Sequence, residues 1–320
     1  MWNRLYRPAV FQGNLKKRNY FEGWYFKQVS RDLQYTYSII PGVSLSDKDP
    51  HAFIQIMEGH TGYTDYVRYP LDQFSWQTKS LYIKIGESVF TDRGMMLDIK
   101  IEKTTLEASV DFLNTVQYPR SIFSPGIMGW YSFVPFMECN HGVVSVNHGL
   151  IGKMSFNGKQ IDFNGGKGYI EKDWGTSFPE AWIWIHSNNF DEQDVSFMLS
   201  IAKIPWMGKY FTGLISFLFL NNRFYIFSTY NRSAFSEVRN DKEQLEITLK
   251  NSSNKLKVKV VKNSFCDLAA PVYGEMSRTI KESIDSELQI QLFNKSGENI
   301  YKGTGKNVGL EIIDEIFRYV

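Results

Sequence analysis

The sequence predicts an all-β chain that ends in one short helix, and three observations carry that reading. Short alternating segments bounded by turn residues run from end to end, long helical periodicity is nearly absent, and two segments half a chain apart share a strand pattern. The first 21 residues, MWNRLYRPAVFQGNLKKRNYF, are charged and lack the apolar core of about 7–15 residues that a secretory signal needs. Strands are predicted over 24–29, 36–40, 51–57, 97–102, 107–113 and 142–146. Lys153 to Phe163 reads KMSF-NG-KQIDF, and Asn-Gly between alternating runs is a strong hairpin signal. The run Gly213 to Leu220, GLISFLFL, falls far short of the ~20 residues of a spanning helix. Asn221-Asn222 after it, leading into Arg223 to Phe227, predicts a buried hairpin instead. Further strands are predicted over 245–250, 255–261 and 287–293. In Val308 to Val320, Leu310, Ile313, Phe317 and Val320 fall at steps of three and four, which predicts the terminal amphipathic helix.

The repeat divides the chain. Glu22-Gly-Trp24-Tyr-Phe26-Lys-Gln28 aligns with Glu180-Ala-Trp182-Ile-Trp184-Ile-His186 at an offset of 158 residues. Tyr35 to Ile40 then aligns with Phe197 to Ala202 at an offset of 162. Strand pairs in the same order at half-length predict two barrel-like halves. Their boundary falls between Gly165 and Phe178, and we place it so that the halves are 1–168 and 169–320.

Composition narrows the function classes. Lys plus Arg number 36 against 34 Asp plus Glu, so nothing suggests a nucleic-acid partner. Aromatic residues reach 16%, which suits large apolar or aromatic-lined sites. Cys139 and Cys266 are too few for a disulfide framework and lack zinc-finger spacing, so two reduced thiols in a soluble, cytoplasmic protein are expected. The glycine cluster at 165–168 enters a strand rather than a helix and so lacks dinucleotide-motif context, and Gly303 to Gly305 has the wrong spacing for a phosphate loop.

The densest set of reactive side chains is Tyr169 to Phe190, YIEKDWGTSFPEAWIWIHSNNF. Steps of two place Glu180, Trp182, Trp184 and His186 on one strand face, with Ala181, Ile183 and Ile185 on the other. At about 3.3 Å per residue Trp184 and His186 stand ~6.6 Å apart and can touch one ligand, whereas Glu180 and His186 are ~20 Å apart. Glu22 and Glu180 are read as anchors of strand starts. Glu138-Cys139-Asn140-His141…His148 contains metal-ligand types, but the odd spacing of His141 and His148 would send them to opposite faces of a straight strand. No metal site is expected, and Glu138 and His141 are placed with an organic ligand.

Tyr20-Phe-Glu-Gly-Trp-Tyr-Phe-Lys27, Gly129-Trp-Tyr-Ser-Phe-Val-Pro135, Glu171-Lys-Asp-Trp-Gly175, Phe178-Pro179 and Trp182-x-Trp184 occur in this order across most of the chain. Together they resemble the tocopherol cyclase family. The resemblance implies two lipocalin-like antiparallel halves, a distant likeness to carotenoid hydratases, and closure of a prenylated hydroquinone to a chromanol by an intramolecular lyase (an isomerase) without cofactor. The chain departs from the family pattern at His186, where a glutamine is expected.

Such a closure needs an acid that protonates a trisubstituted alkene, aromatic faces for a tertiary cation, and a base for the phenol. Asp173 is the candidate acid and His186 the candidate base. Trp24, Tyr169, Trp174, Trp182 and Trp184, with Glu138 and His141, are the candidate substrate contacts. The expected partner is an apolar isoprenoid or prenylated quinol, reached through peripheral membrane contact. A non-catalytic carrier of such a molecule is the alternative reading.

Overall fold

The alternating pattern becomes strand almost everywhere in the computed structural model, which describes residues 2–135, 137–206 and 208–320. Among the described residues the longest helical segments have five residues, Gly129–Phe133 and Asp314–Arg318, both 3-10. The chain divides into two compact units, residues 1–178 with 268–279, and residues 179–267 with 280–320.

The first unit holds an antiparallel sheet with spatial order 64–69, 51–58, 36–45, 20–29, 167–175, 139–156, 105–116, 94–100, 88–91, 82–85, 74–76. Its two edge strands are consecutive in the chain and joined by the 3-10 turn Leu71–Gln73, so the sheet curls into a nearly closed barrel. Trp24, Phe26, Ile39, Val43, Ile54, Ile56 and Ile170 project to one side and form its apolar interior with Phe90, Phe112 and Leu150. The hairpin expected at Asn157-Gly158 is present, with φ of 49° and 82° at the two turn residues. Positive φ at both is what a two-residue hairpin turn requires.

The second unit's sheet runs 223–228, 209–220, 195–206, 182–187, 299–312, 275–294, 254–261, 244–250, 234–240. GLISFLFL is buried in the Lys209–Leu220 strand and returns through Asn221-Asn222 into Arg223–Ser228, as expected. Ile183, Ile185, Leu199, Ile201, Val308 and Leu310 belong to its core.

Three expectations need correction. The Lys167–Gly175 strand hydrogen-bonds to Tyr20–Val29 on one side and Cys139–Phe156 on the other, so residues 169–178 belong to the first unit. The terminal helix is the 3-10 turn Asp314–Arg318; Val308 to Ile312 finish a strand. Val308 and Leu310 also alternate with period two, and core contact selected the strand. Finally, the repeat holds for the second strand but flips the first. Trp24 and Phe26 face their core, while their aligned partners Trp182 and Trp184 alternate with the core residues Ile183 and Ile185. What recurs is topology: each unit's leading strand lies between the next long strand and the last.

Candidate active site

The Lys167–Gly175 strand carries chemistry on both faces, and alternation sorts it. Lys172 and Trp174 point the way Ile170 does; Tyr169, Glu171 and Asp173 point the other way. On the first face Lys172 Nζ meets Glu22 Oε1 at 2.5 Å with neither side chain exposed. The lysine also donates to the carbonyls of Pro8 and Val10, and lies 4.7 Å from the ring centres of both Trp24 and Trp174. Glu22 in turn accepts the Gln12 and Gly13 N–H groups and the Tyr20 hydroxyl. Burial lowers the Lys172 pKa to about 8 against the pull of Glu22. Every partner is supplied, as a buried ion pair requires. Trp24, whose indole donates to the Ala9 carbonyl at 2.7 Å, and Trp174 therefore flank an ion pair that pins the N-terminal strap. Both were expected as substrate contacts, and the contacts seen here are with the ion pair and the strap.

The opposite face gathers acids and bases. His141 pairs with Asp173 in register, and its Nδ1 lies 2.9 Å from Asp173 Oδ1. Its Nε2 lies 3.4 Å from Glu171 Oε2. The Tyr169 hydroxyl donates to that same Glu171 oxygen at 2.7 Å; burial first, then this carboxylate, hold the phenol well above its ordinary pKa. Tyr25, directly across from Glu171, accepts a hydrogen bond from Ser38. Asp173 lies across from Gly23, which in turn pairs with Gly42. A Cβ on Gly23 would stand 3.7 Å from Ile40 and 3.9 Å from Phe53, so glycine leaves room between the carboxylate and an apolar wall. Of the trio Asp173 is the most open, its side chain 23% exposed against 12% for His141 and 6% for Glu171. Burial and the neighbouring Asp173 keep the Cys139 thiol protonated.

One nitrogen or oxygen from each of His141, Glu171 and Asp173 lies within 4.8 Å of the others, so the ligand types for a metal do converge here. Both imidazole nitrogens, however, face different carboxylates. The same arrangement also lets the imidazole exchange a proton with either acid.

The other sequence candidates fall in both units. Glu138 is exposed and contributes its backbone carbonyl to Thr176 and Ser177. His148 turns to the core against Phe112, 4.4 Å between ring centres, and burial lowers its pKa to about 3. In the second unit Trp184 and His186 stack with ring centres 6.1 Å apart, and the Trp182 indole donates to Glu311 at 2.5 Å. Glu180 is exposed and pairs with Lys203. Asp173 thus finds its imidazole in His141, which sequence reasoning had placed as a ligand contact. Glu171 was not singled out, although its two-residue spacing from Asp173 signals a shared strand face. Tyr25 needed the strand register.

A family model described as tocopherol cyclase-like matches residues 87–313. The chain belongs to the tocopherol cyclase-like family. Curated relatives include the probable chloroplastic tocopherol cyclase of Oryza sativa subsp. japonica, 35% identical over 63 residues, and that of Zea mays, 36% identical over 63 residues. Those matches cover 19% of this chain and 13% of each relative. The fold itself recurs in solved structures. The structure of CghA with Sch210972 superposes with a TM-score of 0.56 at 8% identity, covering 92% of this chain and 88% of that one. A Nitrosomonas europaea protein assigned as AttH gives 0.52 at 11% identity, covering 94% and 93%.

Proposed function

We propose that this chain is an acid-catalysed cyclase that closes a prenylated hydroquinone to a chromanol. The observation that carries this reading is His141 held between Asp173 and Glu171 on a largely buried face, with an apolar wall across Gly23. Asp173, the most exposed of the three, donates a proton to the less substituted carbon of the alkene. The resulting tertiary cation is captured by the phenol oxygen, forming the C–O bond of the ring. The phenol proton then returns to Asp173, directly or through His141, so substrate and product are isomers and no electrons are exchanged. Glu171 fixes the far side of the imidazole and is itself held by Tyr169. Excluding water matters because water would trap the cation as an alcohol.

Incubation with prenylated hydroquinones of several chain lengths tests this. A product of unchanged mass and shifted chromatography is expected. Asp173→Asn should lower turnover by about 10²–10⁴-fold, the usual range for removing a general acid, with the circular dichroism spectrum unchanged. His141→Gln should lower it too. Retention of the quinol without conversion by the wild type would favour the carrier, and full turnover by the Asp173 variant would remove the proposed acid.

A further inference from the structure

Residues Ser121 to Ser124 form a two-residue turn closed by a reciprocal pair of backbone hydrogen bonds, and its tip is Ile122-Phe123. These are the two most exposed large hydrophobic residues among those described, at 76% and 81%. Turn tips ordinarily carry glycine or polar residues. This turn is held in place: the Tyr6 hydroxyl donates to the Ile122 carbonyl at 2.6 Å, and Arg120 donates to the Tyr6 carbonyl at 2.6 Å and to Gln117 at 2.5 Å. Tyr6 also packs on Phe133 of the 3-10 segment that carries the half-exposed Trp130.

Beside the turn opens a cavity of about 470 Å³ in the first unit. Its rim carries Arg7, Lys79, Arg93 and Arg120 against one carboxylate, Asp92, while Leu81, Val144 and Ile170 form an apolar floor. The side chains of Arg7, Lys79 and Arg93 have no partner among the described residues. Arg120 and Arg7 join the two features, since each lines the cavity and neighbours a residue that holds the turn.

We propose that this face docks on an anionic lipid bilayer, with Ile122 and Phe123 entering the headgroup–acyl boundary and the basic rim lying over acidic headgroups. Apolar side chains on a fixed tip, beside a cavity rim that carries unpaired cations, match the two requirements of interfacial binding, buried apolar area and attraction to anionic lipid. The proposal does not depend on the Asp173 site.

Co-sedimentation of the full chain with phosphatidylcholine vesicles, with and without about a quarter phosphatidylserine, tests it. Partitioning should be about ten-fold greater onto the serine-lipid vesicles and should fall as salt rises, because the Debye length shortens. The double change Ile122→Ser/Phe123→Ser and the double change Arg7→Glu/Arg93→Glu should each reduce it by about ten-fold, with melting temperature unchanged because these side chains are exposed. Arg120 is left intact because it holds the turn. Wild-type binding that is absent or indifferent to phosphatidylserine would overturn the proposal, as would unaltered binding by both variants. Self-association abolished by the tip variant would assign the face to a second copy of the chain instead.

Discussion

In the proposed reaction Asp173 exchanges its proton with His141 and is reached past Gly23, and neither dependence involves the neighbouring Lys172. That lysine answers to Glu22 on the other face, and the pair is a matter of stability. Glu22→Gln leaves a buried ammonium without its counter-charge and should cost about 3–5 kcal/mol, read as a lower urea midpoint. Replacing both residues with apolar ones should recover part of that loss. His148 adds a pH dependence. Its folded pKa is about 3, against an ordinary 6.5. Between these values the unfolded chain binds a proton that the folded chain refuses. Stability is therefore full above about pH 6.5 and falls as pH drops towards 3, by up to about 1.4 kcal/mol per pH unit. Denaturation at pH 7 and pH 5 should show that decline, and His148→Leu should flatten it.

At the scale of elements, the Lys167–Gly175 strand explains what was legible and what was not. Alternation exposed its two faces, so Asp173 stood out from sequence. The partners did not, because Glu22 and Lys172 meet across 150 residues and only the register brings them together. The first-strand repeat misled for a related reason: matching tryptophans were aligned by identity, while burial depends on parity. His141 and His148 do point to opposite faces, as their odd spacing implied, although the strand between them carries irregular registers at Val143/Ser145 and Ser145/His148. Gly168 sits where that strand meets His148. A Cβ there would fall 2.2 Å from His148 Nε2, which is buried. Gly168→Ala should therefore destabilise by about 1–3 kcal/mol through overpacking, measured by thermal melting.

At the scale of the whole molecule, a halving of the chain was legible but its interlacing was not. The turn Tyr273-Gly274, with φ of 49° and 76°, tips a hairpin whose residues 268–279 belong to the first unit. Ser44 donates to the Gly274 carbonyl at 2.7 Å, and Gln55 exchanges two side-chain hydrogen bonds with the Ala269 backbone. No local pattern in 268–279 marks this, because the contact is with residues more than 200 positions earlier. A fragment ending at Phe178 lacks these partners and should melt at lower temperature than the same unit in the intact chain. Equal melting temperatures would show the arm to be dispensable.

The arm also sets a schedule for synthesis. From Phe178 the ribosome must add 101 residues, to Thr279, before the first unit can be completed. At about 5–20 residues per second, that is a wait of roughly 5–20 s. Throughout it, the nascent first sheet has every strand it needs but lacks the segment that Ser44 and Gln55 bind. Slow translation through 179–267 would prolong that exposure, and chaperone capture is most needed in this interval.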